Sequence, residues 1–412
     1  MASGKGRHSP PRLKATTKHE KSGDKAASWQ LETRPISLGK VISPVNRVRQ
    51  CTSEMTVVRE ISTENFEDLP GTMPSPFTPP LLLQNRDLQT TLASLWPRRL
   101  LASRRASPLL RHSRELILNC GDGIRLLGAY SAKAENRRGL VTLIHGWEGS
   151  SNSGYILSAA GVLFDSGYNV FRLNLRDHGP SHHLNRELFN STRLAEVVAA
   201  VAEIHRLFPH QRTFLAGFSL GGNFALRIGL HAPAKGICLT AIAALCPLID
   251  PVAATRNLEE NHPVYHRYFV RKWRRSLLRK LTLYPGLDDP ALLRRRHTLS
   301  ALHDHFVPRH TEYPDTKAYL SAYRLDAGQL DALRIPTTIM ATDDDPILPR
   351  RQFDQLDETA WLKVERIRYG GHCGFLENFR LTSWADYRLR ELFDQSATQP
   401  NHGAEYYSPC ST

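Results

Sequence analysis

The chain lacks several features that would each have settled its class at once. In 412 residues there are only six cysteines, and no two of them form a CxxC pair. Cys51, Cys120, Cys238, Cys246, Cys373 and Cys410 are scattered, which argues against a disulfide framework and for a reducing, cytoplasmic setting. No run of about 18 apolar residues exists, so no segment reads as a membrane-spanning helix. The first residues, MASGKGRHSPPRLK, are basic but no apolar stretch follows, so they do not read as a secretory signal. Paired Cys/His spacings, an aromatic RNA-binding pattern and a helix-turn-helix signal are also missing. That matters because the net charge is +14, with a pI near 9.7, and such a balance invites a nucleic-acid reading. Roughly half of the excess falls in the first ~54 residues, which are poor in apolar side chains and read as a solvated tail. No nucleic-acid partner is expected. Internal repeats are absent too.

Hydrophobic residues make up 41% of the chain, enough for a sizeable core. Residues 1 to about 70 read as a disordered basic extension. The Pro cluster Met73 to Pro80 opens the ordered chain, and Leu81 to Trp96 has helix-compatible spacing. A hairpin is expected over Glu115 to Cys120 and Ile124 to Tyr130, around the turn residues GDG. Apolar runs then alternate with amphipathic stretches. Strands are expected at Leu140–Gly146, Tyr168–Leu175, Thr213–Ser219, Gly236–Pro247, Pro336–Thr342 and Lys363–Tyr369. Helices are expected at Ser153–Gly167, at Ser191–Phe208 with Ser191 as N-cap, after Ser219, and near Ser383–Phe393. This alternation predicts an α/β fold: a mostly parallel central sheet with helices on both faces. It stops at about 248–335, where a long Arg-rich helical segment reads as a cap over the carboxyl edge of the sheet. The domain is expected to run over 71–395, with a flexible tail at 396–412.

Three motifs carry chemistry. GFSLG, Gly217 to Gly221, lies between a strand and a helix, where a sharp turn projects a serine hydroxyl above the sheet. A serine needs a base, and the base needs an orienting carboxylate. GGHCGF, Gly370 to Phe375, and DDDPILP, Asp343 to Pro349, each follow an expected strand and so fall at the edge that carries Ser219. The assignment is Ser219 as nucleophile, His372 as base and Asp345 as orienting acid, with Asp344 as the runner-up. The oxyanion hole is assigned to the backbone N–H groups of Trp147, in HGWEGS, and Leu220. No metal or other cofactor is called for. His178, His182 and His183 read as a loop bordering the site rather than as ligands.

In order, HGWEGSS, GFSLGG, DDDPILP and GGHCGF resemble the YheT-like branch of the α/β-hydrolases, over about Phe77 to Leu392. The upstream PPLLLQNRDLQTTLASLW is similar to an N-x-x-L-Q-T segment of that branch. The resemblance implies esterase, lipase or acyl-transfer activity on fatty-acyl or short-chain esters, without a cofactor, through Ser219, Asp345 and His372. It departs at RDHGPSHHLN (Arg176 to Asn185), and LHDHF and KAYLSAYR in the cap echo the branch only loosely. The expected function is hydrolysis of carboxylic esters through an acyl-enzyme. Acyl transfer to an alcohol, and a catalytically silent binding protein, are the alternatives. In the cap, Phe269, Trp273, Leu277 and Leu281 recur every four residues, with Arg271, Lys272, Arg274, Arg275 and Arg279 around them. Two readings stay open for this helix: a stripe packed on the sheet domain, and a peripheral membrane contact.

Overall fold

The structure, a computed structural model, describes residues 77–398. The expected extension over 1–70 lies outside the described residues, as does 399–412 of the expected tail.

Eight strands form one sheet: β1 (Ser113–Asn119), β2 (Arg125–Ser131), β3 (Leu140–Ile144), β4 (Asn169–Leu173), β5 (Thr213–Phe218), β6 (Ala241–Leu245), β7 (Thr337–Thr342) and β8 (Leu362–Ile367). Their spatial order is β1-β2-β4-β3-β5-β6-β7-β8. β2 runs antiparallel to β1 and β4, and every other pair is parallel. Every residue of β3, β4, β5 and β6 is buried, as their continuous apolar runs require when helices cover both faces.

The chain steps one way from β3 to β4 and the other way from β4 to β5. Right-handed crossovers in opposite directions put their helices on opposite faces. Helix Gly154–Asp165 packs with Trp96–Arg105 and Trp384–Thr398, while Leu194–Leu207 packs with Leu220–His231. The reversal leaves a crevice beyond the carboxyl ends of β3 and β5, the usual ligand position in such sheets.

Three local expectations are corrected. Leu81–Trp96 is not one helix: a 3-10 turn, Leu81–Gln84, ends at Asn85, whose side chain caps helix Arg86–Ser94, and a second helix begins at Trp96. Ser191 is no N-cap: the Asn190 side chain holds the Thr192 N–H (3.1 Å) in a turn, and the helix starts only at Leu194, after Arg193. β6 covers Ala241–Leu245 alone, since Gly236, at φ 65°, closes the turn before it. The last helix reaches Thr398, three residues into the expected tail. Cys120, Cys246 and Cys373 are free thiols, whereas Cys238 is disulfide-bonded, which the scattered spacing did not announce.

Between β6 and β7 lie six helices: Pro251–Asn261, Pro263–Leu283, Pro290–Arg294, Leu299–His310, Thr316–Ala322 and Ala327–Leu330. Their starts are written locally. Asp250, Asp289, Thr298, Asp315 and Asp326 each accept a hydrogen bond from a first-turn N–H, and three of the helices carry Pro at the first position. On Pro263–Leu283, Trp273, Leu277 and Leu281 are buried and Phe269 is half-buried, so the four-residue stripe faces inward.

Candidate active site

Ser219 follows β5 directly, with φ 55° and ψ −116°, a conformation that side chains rarely tolerate. The residues two positions to either side must then be glycine. A β-carbon on Gly217 would stand 2.0 Å from the Gly221 carbonyl oxygen, and one on Gly221 would stand 2.3 Å from that of Ile144. Among the described residues, six of the eight non-glycine residues with positive φ (Glu148, Asp177, Ser219, Cys246, Cys373 and Phe375) sit in segments that follow parallel strands at this edge. Strain of roughly 1–3 kcal/mol per residue is concentrated where a site would use it.

The His372 Nε2 lies 2.9 Å from the Ser219 hydroxyl, and Nδ1 lies 2.8 Å from Asp345 Oδ2. The other Asp345 oxygen accepts from the N–H groups of Ile347 (2.8 Å) and Leu348 (2.9 Å). Both carboxylate oxygens are thereby aimed. Asp344 points elsewhere, accepting from the N–H groups of Gly371 (2.9 Å) and Gly370 (3.3 Å) and so holding the backbone of the histidine loop. Asp343 pairs with Arg366. Three consecutive acids thus have three different partners.

Burial disfavours a charged His372 ring, but the Asp345 carboxylate beside it prevails and raises the pKa above the ordinary 6.5. His145 is the opposite case. Burial drives its pKa well down, and the neutral ring donates from Nδ1 to the Gly146 carbonyl (2.8 Å) while Nε2 accepts from the Leu175 N–H (3.2 Å). It fixes the loop carrying Trp147. Among the described residues, the N–H groups of Trp147 and Leu220 have no protein acceptor. Both residues line the same cavity as Ser219 and His372.

That cavity, of about 400 Å³, is lined by Trp147 and, from the cap, by Tyr268, Phe269, Trp273, Phe306 and Tyr323. Trp147 stacks on Phe269 (5.4 Å between ring centroids) and meets Trp273 edge-on (5.4 Å). KAYLSAYR contributes two buried tyrosines, Tyr319 and Tyr323. The histidines of RDHGPSHHLN have separate partners: His178 lies against His145 (4.9 Å), the His182 Nε2 bonds the Ser276 hydroxyl (2.9 Å), and His183 bonds the Pro180 carbonyl (3.1 Å). Burial takes the pKa of His178 down to about 4 and that of His182 to about 3, so both rings are neutral near pH 7.

Two supports escaped the sequence reading. In helix Arg86–Ser94, Gln89 is fully buried and clamps Leu376, accepting from its N–H (2.7 Å) and donating to its carbonyl (3.0 Å). The adjacent Thr90 hydroxyl accepts from the His372 N–H (2.9 Å). The N-x-x-L-Q-T string was legible, but nothing in it says which loop it grips. In the cap, Lys280 is fully buried and donates to Asp177 Oδ1 (2.6 Å) and to the carbonyls of Asn185 (2.6 Å) and His182 (3.1 Å). It ties the cap to the histidine-bearing loop. A lysine inside an arginine run gives no sequence sign of burial.

A family profile described as "alpha/beta hydrolase fold" matches residues 139–379, more than half of the chain. YheT of Escherichia coli (strain K12) is 24% identical over 306 residues, 73% of this chain and 87% of that protein. Phospholipase ABHD3 of Mus musculus is 23% identical, over 66% of this chain and 67% of that protein. Medium-chain fatty acid ethyl ester synthase/esterase 2 of Saccharomyces cerevisiae is 21% identical, over 62% and 61%.

Proposed function

The chain belongs to the α/β-hydrolase family, in its YheT-like branch, and from that premise we propose that it is a serine hydrolase of carboxylic esters. One observation carries this reading: the unbroken chain of hydrogen bonds Asp345–His372–Ser219, ending at a cavity lined partly by aromatic side chains. Ser219 Oγ attacks the ester carbonyl carbon as His372 Nε2 takes its proton, and Asp345 stabilises the imidazolium. The oxyanion of the tetrahedral intermediate meets the N–H groups of Trp147 and Leu220. The imidazolium then protonates the departing alcohol, which leaves an acyl-enzyme. Water, deprotonated by His372, releases the acid and restores Ser219.

The aromatic lining and the cavity size suit a fatty-acyl or short- to medium-chain ester, in keeping with the phospholipase and fatty-ester names of the relatives. The synthase/esterase name of the yeast protein favours acyl transfer as the second reading, since the same acyl-enzyme can pass its acyl group to an alcohol. A panel of p-nitrophenyl esters of graded length, with and without added ethanol, tests both. The wild type should cleave them with a chain-length optimum, and Ser219→Ala should lose about 10⁴-fold or more in kcat and all fluorophosphonate labelling. A labelled, fully active Ser219→Ala protein would overturn the assignment. An inert, unlabelled wild type would favour the silent binding protein.

Peripheral membrane contact belongs to the same reading. On the cap helix, Arg267, Arg271, Arg275 and Arg279 recur every four residues on the exposed face, beside exposed Val264, Tyr268 and Leu283. Four like charges at that spacing repel one another, so an anionic surface would stabilise them. Lys272, Arg274 and Arg279 also donate to carbonyls, those of Glu148 (2.7 Å), Arg296 (3.0 Å) and Gly179 (3.2 Å), which leaves Arg267, Arg271 and Arg275 as the stripe's outermost charges. No helix among the described residues is long and apolar enough to cross a membrane.

A further inference from the structure

Two thiols that the proposed chemistry does not use stand beside the base. One ligand atom each from Cys246, His372 and Cys373 lies within 4.8 Å of the other two. Cys246 immediately follows β6, and its N–H is fixed by the Met340 carbonyl (2.7 Å). Cys373 immediately follows His372 and lines the cavity. Both are buried free thiols, and both sit at positive φ, 42° and 58°. A small hydrophobic residue could fill either space without a sulfur. The left-handed backbone disfavours any side chain there, so packing alone does not explain the pair.

We propose that Cys246, Cys373 and His372 form a site for a thiophilic divalent cation such as Zn²⁺, and that its occupation shuts off Ser219. The donor set is two sulfurs and one imidazole nitrogen, which suits Zn²⁺. Zn–S near 2.3 Å and Zn–N near 2.0–2.1 Å place tetrahedral ligand atoms roughly 3.5–3.8 Å apart, a small contraction from the present spacing. A disulfide would need the sulfurs at about 2.05 Å, a far larger movement of two constrained residues. On binding, each thiol gives up its proton, two protons leave, and two thiolates neutralise the dication, so no net charge is buried. His372 and Cys373 line the cavity, through which the ion would arrive.

Either ring nitrogen of His372 serves the argument. Coordination through Nε2 takes the lone pair that receives the serine proton. Coordination through Nδ1 displaces Asp345 and imposes the wrong tautomer. The inhibitory consequence rests on the catalytic reading given above, whereas the binding itself does not.

The test uses reduced full-length protein as wild type, Cys246→Ala, Cys373→Ser and Ser219→Ala. Zn²⁺ affinity is measured by competition with a chromophoric chelator, Cd²⁺ binding by its sulfur-to-metal absorption band, and inhibition by p-nitrophenyl ester hydrolysis. Wild type and Ser219→Ala should bind one ion with the sulfur band. Each cysteine variant should bind at least ~10-fold more weakly, with the inhibitory Zn²⁺ concentration rising in parallel. Cys246→Ala should keep its metal-free activity within about threefold, and a chelator should restore the wild type. Absence of the sulfur band, or inhibition that persists unchanged in both cysteine variants, overturns the site and leaves the catalytic reading untouched. Binding with the sulfur band but with no loss of hydrolysis overturns the inhibitory role and leaves the catalytic reading untouched.

Discussion

The rim of the sheet and the cap above it solve opposite problems. At the rim, backbone geometry is forced: glycines at 217 and 221 have backbone atoms within bond-like distance of any added β-carbon, and positive φ angles crowd the segments after the strands. Little can change there without breaking the turn that presents Ser219. The cap is made of capped, amphipathic helices whose inner faces meet the rim through aromatic stacking and one buried ion pair, Lys280 with Asp177. Such contacts tolerate variation in size and shape. On the function proposed above, the rim would determine which bond breaks, and the cap what is admitted to it.

The largest effects should separate the two. Ser219→Ala, a rim change, removes the reaction, as stated above. Asp345→Asn should lower kcat by about 10³–10⁴-fold, whereas Asp344→Asn, which loosens only the histidine loop, should cost less than about tenfold. The pH profile sharpens this. Catalysis requires the neutral imidazole, and Asp345 raises the His372 pKa, so activity should climb with pH through a midpoint above 6.5. In Asp345→Asn the residual activity should rise at lower pH, because the raising charge is gone. An unmoved midpoint would remove Asp345 from its role.

Lys280→Ala tests the joint between the regions. A buried carboxylate left without its partner typically costs about 3–5 kcal/mol, which a urea melt would read as a lower midpoint. Gln89→Ala should leave the fold largely intact but let the histidine loop drift, lowering kcat by about 10–100-fold with little change in KM. Equal losses in kcat and thermal stability would make Gln89 merely structural. The smallest effect on chemistry belongs to the outer cap. Arg271→Glu with Arg275→Glu should weaken sedimentation with phosphatidylglycerol vesicles by about 1 kcal/mol or more per residue, and leave hydrolysis of soluble esters unchanged. Equal binding to vesicles of neutral lipid would exclude an electrostatic contact.

Much of the rim was legible because its constraints are local. Strand periodicity, the glycines around Ser219 and the turn residues after β7 and β8 are each written within a few positions, and their order along the chain suffices to bring them to one edge. Which of the adjacent acids Asp344 and Asp345 faces the ring depends on tertiary contacts: Asp345 Oδ2 lies 2.8 Å from His372 Nδ1, whereas Asp344 accepts from the N–H groups of Gly370 and Gly371. Ser191 misled because the neighbouring Asn190 side chain takes the Thr192 N–H and hydroxyl in a turn of its own, which delays the helix to Leu194. The helix read over Leu81–Trp96 failed for a related reason. Apolar spacing continued across Asn85, but the side chain of Asn85 starts a new helix there.

The sequence by itself determined the fold class, the order of the strands along the chain and the three residue types of the candidate triad, because each depends on short-range sterics and periodicity. Only the tertiary structure decided which atoms meet: the grip of Gln89 and Thr90 on the His372 loop, the burial of Lys280, and the approach of Cys246 to Cys373. Those contacts join segments about 100 to 290 residues apart, and no local preference encodes them. They exist because a closely packed interior leaves each side chain few neighbours to choose from, and the fold has already chosen them.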